Sequence, residues 1–159
     1  MTKTLLGSFA AAILGVALIH PIAHATDRLL ISEAEMRLYS PMVSPMASQG
    51  LQSAQGAPSI LWVQPAPGAT VHSPMDIQIL VVPNGSTMVD WDSLRVFYGA
   101  LRFDITERIW AKAQRDVNQL SIRAVEVPNG VHRLLIQVAD TEKRQGQREL
   151  VLHVDGAKP

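Results

Sequence analysis

Three histidines follow residue 25: His72, His132 and His153. Neutral imidazole binds copper, zinc or nickel, so these three are the first candidates for metal chemistry. Met42 and Met46, in PMVSPM, add thioethers, soft ligands suited to cuprous ion. Two carboxylate pairs stand further along. Asp90 and Asp92 flank Trp91 in VDWDS, which begins a calcium shell but lacks the further oxygens and distal acid of a complete one. Aspartates closing a turn ahead of a strand are the plainer reading. Asp104 and Glu107 have the residue types of a hydrolytic pair. Exposure on a strand face and attraction to a helix N-terminus account for them better. There is no cysteine, so thiolate metal sites, thiol nucleophiles and disulfides are excluded. No nucleophile elbow, zincin helix, phosphate loop or dinucleotide fingerprint occurs. The expectation is a non-catalytic protein with no resident cofactor and no assigned metal site. His72, His132 and His153 stay as candidates to be placed.

The elements that must position these residues are strands. From residue 59 onward, short apolar runs recur at intervals of roughly ten residues, separated by Pro, Gly, Asn and Asp. Seven strands are predicted, at residues 60–63, 75–82, 93–99, 101–105, 120–127, 131–139 and 148–154. Alternation assigns their faces. His132, Leu134, Ile136 and Val138 share one face. So do Leu150, Leu152 and Val154, and so do Leu94, Val96 and Tyr98. In the fourth run the inward set is Leu101, Phe103 and Ile105. Residues 106–117 do not alternate; Ile105, Ile109 and Ala113 recur every four residues, which predicts one to three helical turns crossing between two sheets. Thr106 is the expected cap, and Trp110 covers the core's edge. The tetrapeptide VPNG occurs twice, at 82–85 and 127–130, each time after a strand. Pro ends a strand by withholding an amide, and Asn-Gly supplies positive φ, so both copies read as corners of one fold.

Ahead of this region lie two segments of different texture. Residues 1–25 have a charged start at Lys3, an apolar run and a small-residue ending, Ala23-His24-Ala25, which is the form of a cleaved secretory signal. Residues 26–58 read as a short helix followed by a flexible linker. Ser32 and Glu35 have capping-box spacing, and the tract from 41 to 58 is rich in Ser, Pro, Gly and Gln. The expected organisation is a signal peptide at 1–25, helix and linker at 26–58, one domain at 59–156 and a tail at 157–159. Lys+Arg and Asp+Glu each number 14 over the whole chain, and removing Lys3 leaves a net charge of −1. That balance argues against nucleic-acid partners. No membrane span is expected after signal cleavage, and the expected location is periplasmic or secreted.

With seven short alternating strands on the page, residues 59–156 resemble a bacterial immunoglobulin-like β-sandwich of exported proteins. The stretch PNGVHRLLIQVADTEKRQGQRELVLHV carries this best: a Gly turn, an alternating strand, a loop and a last alternating strand. The resemblance implies an all-β sandwich with one short crossover helix, and a ring folding back to the backbone at the position of His132. It also implies that His72, His132 and His153 lie near one pole, while strand parity points His132 inward and His153 outward, toward different sides. A narrower similarity is to periplasmic copper-resistance proteins of the same architecture, through Pro65, Gly68, Ala69 and Val71, with Pro74 one position early. That family's metal ligands are not matched: the segment after residue 25 begins Thr26-Asp27, and Asp140-Thr141-Glu142 stands where the family has Asp-Gly-His. The expected function is a binding or accessory module in the cell envelope, its partner another envelope protein docked along a strand edge. The alternative is a periplasmic copper-binding protein.

Overall fold

The structure, a computed structural model, describes residues 29–39 and 53–156. Nine strands form two sheets. In chain order they are β1 (Ser59–Gln64), β2 (Thr70–His72), β3 (Met75–Val82), β4 (Val89–Tyr98), β5 (Phe103–Asp104), β6 (Gln114–Arg115), β7 (Gln119–Val125), β8 (Gly130–Asp140) and β9 (Gln145–Asp155). The first sheet has the order β1-β3-β7-β6, the second β2-β9-β8-β4-β5. Neighbours are antiparallel except β2 and β9, which run parallel. This is the immunoglobulin-like arrangement, an all-β sandwich in which chain-adjacent strands repeatedly change sheets.

The faces follow from alternation. Ile60, Trp62, Ile77, Ile79, Val81, Leu120 and Ile122 point inward from one sheet, and Leu94, Val96, Tyr98, Leu134, Ile136, Val138, Leu150 and Leu152 from the other. Both VPNG copies are corners. The first carries the chain from β3 to β4 and the second from β7 to β8, each time between sheets. Gly85 and Gly130 both sit at positive φ there.

One predicted strand is corrected. Residues 93–99 and 101–105 are not two independent core strands: β5 is two residues long and folds back on the end of β4, pairing Tyr98 with Phe103. Gly99 at φ 68 and Arg102 at φ 52 turn the chain, and Arg102 N–H donates to Gly99 O. Leu101 therefore sits at a turn tip, 64% exposed, not on the core face. The helix after it is α2 (Thr106–Lys112), with Ile105 and Ile109 buried and Trp110 packed on the core's rim. The cap is not the threonine. Asp104 Oδ1 accepts the Thr106 amide at 2.8 Å, while Thr106 Oγ1 accepts the Val96 amide at 2.9 Å and ties the helix to β4.

The leader contributes to the core. Leu30 and Ile31 are 1% exposed, and Leu30 N–H donates to Glu126 O at 3.0 Å. Leu30, Trp62, Trp91 and Ile109 are among the residues around a small interior cavity of about 20 Å³. The capping box forms as the spacing predicts: Ser32 N–H donates to Glu35 Oε2 at 2.9 Å, and Glu35 N–H to Ser32 Oγ at 3.3 Å. It opens the helix α1 (Glu33–Tyr39). Residues 53–58, the end of the expected linker, lie along β9, where Ala54 N–H donates to Gln145 O and Gln147 N–H to Ser53 Oγ.

Candidate functional site

β2, β9 and β8 lie side by side, and all three candidate histidines sit where these strands meet one pole of the sandwich. His153 pairs with Thr70 on one side and Val131 on the other; His72 pairs with Asp155. Their rings do different things. His132 points between the sheets and is fully buried. Its Nε2 lies 2.7 Å from Pro128 O, and a carbonyl only accepts, so Nε2 carries the proton. Nδ1 then accepts from the Tyr98 hydroxyl at 2.9 Å. Desolvation holds the His132 pKa below the usual histidine value, against an opposing pull from Pro128 O. The ring folds back to the backbone four residues upstream, as its corner position implies, and both nitrogens are engaged. His72 and His153 are exposed on the outside, and His72 Nδ1 lies 3.2 Å from Asp155 O. Among the described residues, no three His, Asp or Glu side chains approach closely enough to hold a metal ion. Met42 and Met46 lie outside the described residues.

At the opposite end of β8, Asp140 is a hub. Its carboxylate is fully buried. Oδ1 accepts the amides of Glu142 and Arg144, each at 3.0 Å. Oδ2 accepts Arg144 Nε at 2.8 Å and Nη2 at 2.7 Å. Desolvation pushes this carboxyl upward, but the Arg144 side chain and these amides together outweigh it and hold the pKa below the usual range. Arg144 Nη2 also reaches Asn84 O, so the hub pins the first VPNG corner. Asp140-Thr141-Glu142 is thus a loop-closing device, built where the copper-resistance pattern has ligands.

The two carboxylate pairs have local partners. Asp104 holds the start of α2, and Glu107 lies exposed in its first turn. Asp90 and Asp92 belong to β4 and not to a turn before it, because β4 begins at Val89. Asp90 accepts from Lys143 at 2.7 Å, and that ion pair holds the Asp90 pKa down. Asp92 pairs loosely with Arg115 at 3.9 Å. Between them, Trp91 donates its indole N–H to Asp116 O and Val117 O at 3.2 and 3.1 Å. Together with Thr141 these residues line an open groove of about 430 Å³.

The strand edges differ sharply from one another. β2, β5 and β6 are edges of three, two and two residues, pairing with only 153–155 of β9, 97–98 of β4 and 120–121 of β7. Such shortness is how sheets avoid unwanted pairing. The fourth edge, β1, runs for six residues. Its outward side chains include Leu61 and Val63, 42% and 46% exposed, beside Val82 of β3 at 42%. Val81 N–H donates to Asn118 O, on the side away from β1, so the facing residue Ile60 turns its own peptide groups to the free edge. Arg148 reaches the Ile60 carbonyl at 3.2 Å. β1 was legible in the sequence as ILWV, an apolar run without alternation. That run has apolar groups on both faces, which was the available sign that its outer face is unusual.

No family model matches the chain, and a comparison with curated proteins finds no match. Several solved structures are similar in shape, among them two at low identity. One is CopC from Methylosinus trichosporium OB3b, 14% identical, with a TM-score of 0.42 over 63% of this chain and 97% of that one. The other is that of fibronectin(III)-like modules of CbhA from Clostridium thermocellum, 15% identical, with a TM-score of 0.38 over 62% of this chain and 46% of that one. The match thus spans about half the length of the CbhA modules.

Proposed function

We propose that this chain is an exported, non-catalytic accessory module of the cell envelope that docks a partner protein by strand addition at β1. The observation that carries the reading is the apolar outer row of the β1 edge. β1 is an edge of six residues with Leu61 and Val63 on its outer face, and its Ile60 carbonyl is held by Arg148, which an added strand displaces. An added strand satisfies backbone groups along such an edge, and its alternate side chains meet the apolar row. β1 carries no charge, so the fitting partner is an extended, uncharged segment with apolar residues at alternate positions. Export rests on the signal-like residues 1–25. Among the described residues, no helix is long and apolar enough to cross a membrane.

The test places a photo-crosslinking amino acid at Val63 of the full chain, in cells of its native host. The expected result is a discrete adduct to one envelope protein, mapping to an extended segment. A synthetic peptide of that segment should slow hydrogen exchange at the Ile60 amide. Leu61→Lys should abolish both effects while leaving the melting temperature nearly unchanged. No discrete adduct, or a peptide that leaves exchange at the Ile60 amide unchanged, overturns the reading. Mass spectrometry of the protein recovered from the envelope checks export, with Thr26 as the expected first residue.

A further inference from the structure

The two VPNG copies each end in Asn-Gly, a pair whose side-chain amide closes readily on the following nitrogen because glycine has no Cβ in the way. The fold places the copies in opposite chemical settings. Asn84 and Gly85 are both exposed and outside any strand, and a Cβ added to Gly85 would meet nothing within 4 Å. Among the described residues, no acceptor takes the Gly85 amide. The carbonyl that joins the pair is held instead: Asn84 O accepts Thr87 Oγ1 at 2.8 Å and Arg144 Nη2 at 3.4 Å. When the Gly85 nitrogen gives up its proton, negative charge develops on that oxygen. A hydroxyl and a guanidinium already aimed at it stabilise the charge and so favour the nucleophilic form of this peptide.

The second copy is shielded on each count. β8 begins at Gly130, which pairs with Val154 of β9. Gly99 N–H donates to Arg133 O, so the peptide groups of Arg133 face β4 and those of Gly130, of opposite parity, face β9. The Gly130 amide is thus committed to the ladder. The Asn129 side-chain amide lies against Gly156, in the space that a Cβ there would take. Among the described residues, nothing donates to Asn129 O.

We propose that Asn84 is a site of spontaneous deamidation and that the fold protects Asn129. The Gly85 nitrogen, its proton taken by water or hydroxide, bonds to Asn84 Cγ. The Cγ–Nδ2 bond breaks, and ammonia leaves with a proton returned by water. The product is a cyclic succinimide, which water opens at either carbonyl. Opening at Cγ gives aspartate. Opening at the former backbone carbonyl gives isoaspartate, in which the chain runs through Cγ and the oxygen gripped by Thr87 and Arg144 belongs to a free carboxylate. Arg144 already holds Asp140, so the change brings a second anion to that guanidinium.

The test is peptide mapping by mass spectrometry of the purified protein, expressed from the full-length chain and aged in mildly alkaline buffer. Aspartate and isoaspartate should accumulate at Asn84 about tenfold faster than at Asn129, with the two rates converging in urea, where the fold no longer separates the copies. Thr87→Val should slow conversion at Asn84 by about threefold, with Asn129 as the reference within the same molecule, and Thr87→Ser should restore it. The proposal is overturned if Asn129 converts as fast as Asn84 in the folded protein, or if Asn84 converts in urea and not in the folded protein. It is overturned equally if Thr87→Val converts at the parent rate. None of these residues lies on β1, so the outcome is independent of the strand-addition reading.

Discussion

The two ends of β8 solve one problem in opposite ways. At each end a VPNG corner carries the chain from one sheet to the other, and a buried polar side chain of β8 holds that corner. At the start, His132 grips Pro128 O with a neutral ring and accepts the Tyr98 hydroxyl. At the finish, Asp140 holds Arg144, which reaches Asn84 O in the other corner. The ring carries its polarity without charge. Asp140 keeps its charge and must be fully compensated. A buried ion stripped of its partner costs more than a neutral group stripped of one, so the two ends should differ in how they fail.

The largest effect is expected at the charged end. Asp140→Ala removes the acceptor of two amides and of the Arg144 guanidinium together. The melting temperature should fall by on the order of 10 °C or more, measured by calorimetry. A fall of only a degree or two would mean that Arg144 and the loop find other partners, and that the corner does not depend on the hub. Next comes His132→Phe, which keeps a ring of similar bulk but leaves Pro128 O without its donor. The expected loss is about 2 kcal/mol in urea unfolding, with no change in the slope against denaturant.

Acid should separate the two ends more finely. The folded His132 has a pKa below 6.5, so between 6.5 and that lower value the unfolded chain binds the extra proton. Its stabilising contribution is complete above pH 6.5 and is lost as pH falls through the folded value. Asp140 and Asp104 have pKa values held below 3.8, so their contributions begin to fade only below about that pH. Melting temperature against pH should therefore show a first decline below pH 6.5 that is absent in His132→Phe, and a second, acidic one that remains. A single decline in the acidic range in the parent protein would contradict the buried neutral ring.

The sequence made His132 legible because alternation fixes parity, and parity alone turned its ring inward. The same rule located most strands to within a few residues. It failed where the backbone, not the pattern, decides. Gly99 was visible as a turn residue, but nothing in the residue type marks Arg102 for positive φ, so Leu101 was assigned to the core. Leu30 and Ile31 were missed for another reason: two adjacent apolar residues have no period, and the strand that Leu30 bonds, at Glu126, lies nearly a hundred positions away. The groove was half visible. VDWDS stands out as a motif, but Arg115 and Lys143 reach it only through the folding of β6 and the last hairpin. The β1 edge was readable in principle, since an unalternating apolar run at the start of a sandwich leaves some apolar group outside.

The smallest expected effect concerns how the histidine end is covered, by a helix and an ion pair, where the charged end is covered by residues 53–58, with Gly56 beside Arg144 and Asn84. Arg108 of α2 grips Glu35 of α1 through two bonds, Nη1 to Oε2 at 2.9 Å and Nη2 to Oε1 at 2.6 Å. Tyr39 stacks on Phe103 with centroids 5.2 Å apart, and Phe103 in turn lies under Arg108. The Arg108 hydrogen bond is the largest influence on Glu35 and lowers its pKa from 4.5 to about 2. That shift overstates the worth of the pair, because the Arg108 side chain is 40% exposed and salt screens it. A double-mutant cycle with Glu35→Gln and Arg108→Gln should therefore give a coupling of only about 1 kcal/mol at neutral pH, falling at high salt. It should vanish as pH drops from about 4.5 toward 2, the window over which the unfolded chain takes up the Glu35 proton first. If the coupling is near zero at neutral pH, Leu30 and Ile31 hold the leader by burial alone. A coupling that instead survives at pH 2 would mean that the contact is packing of the arginine stem and ring, not an ion pair.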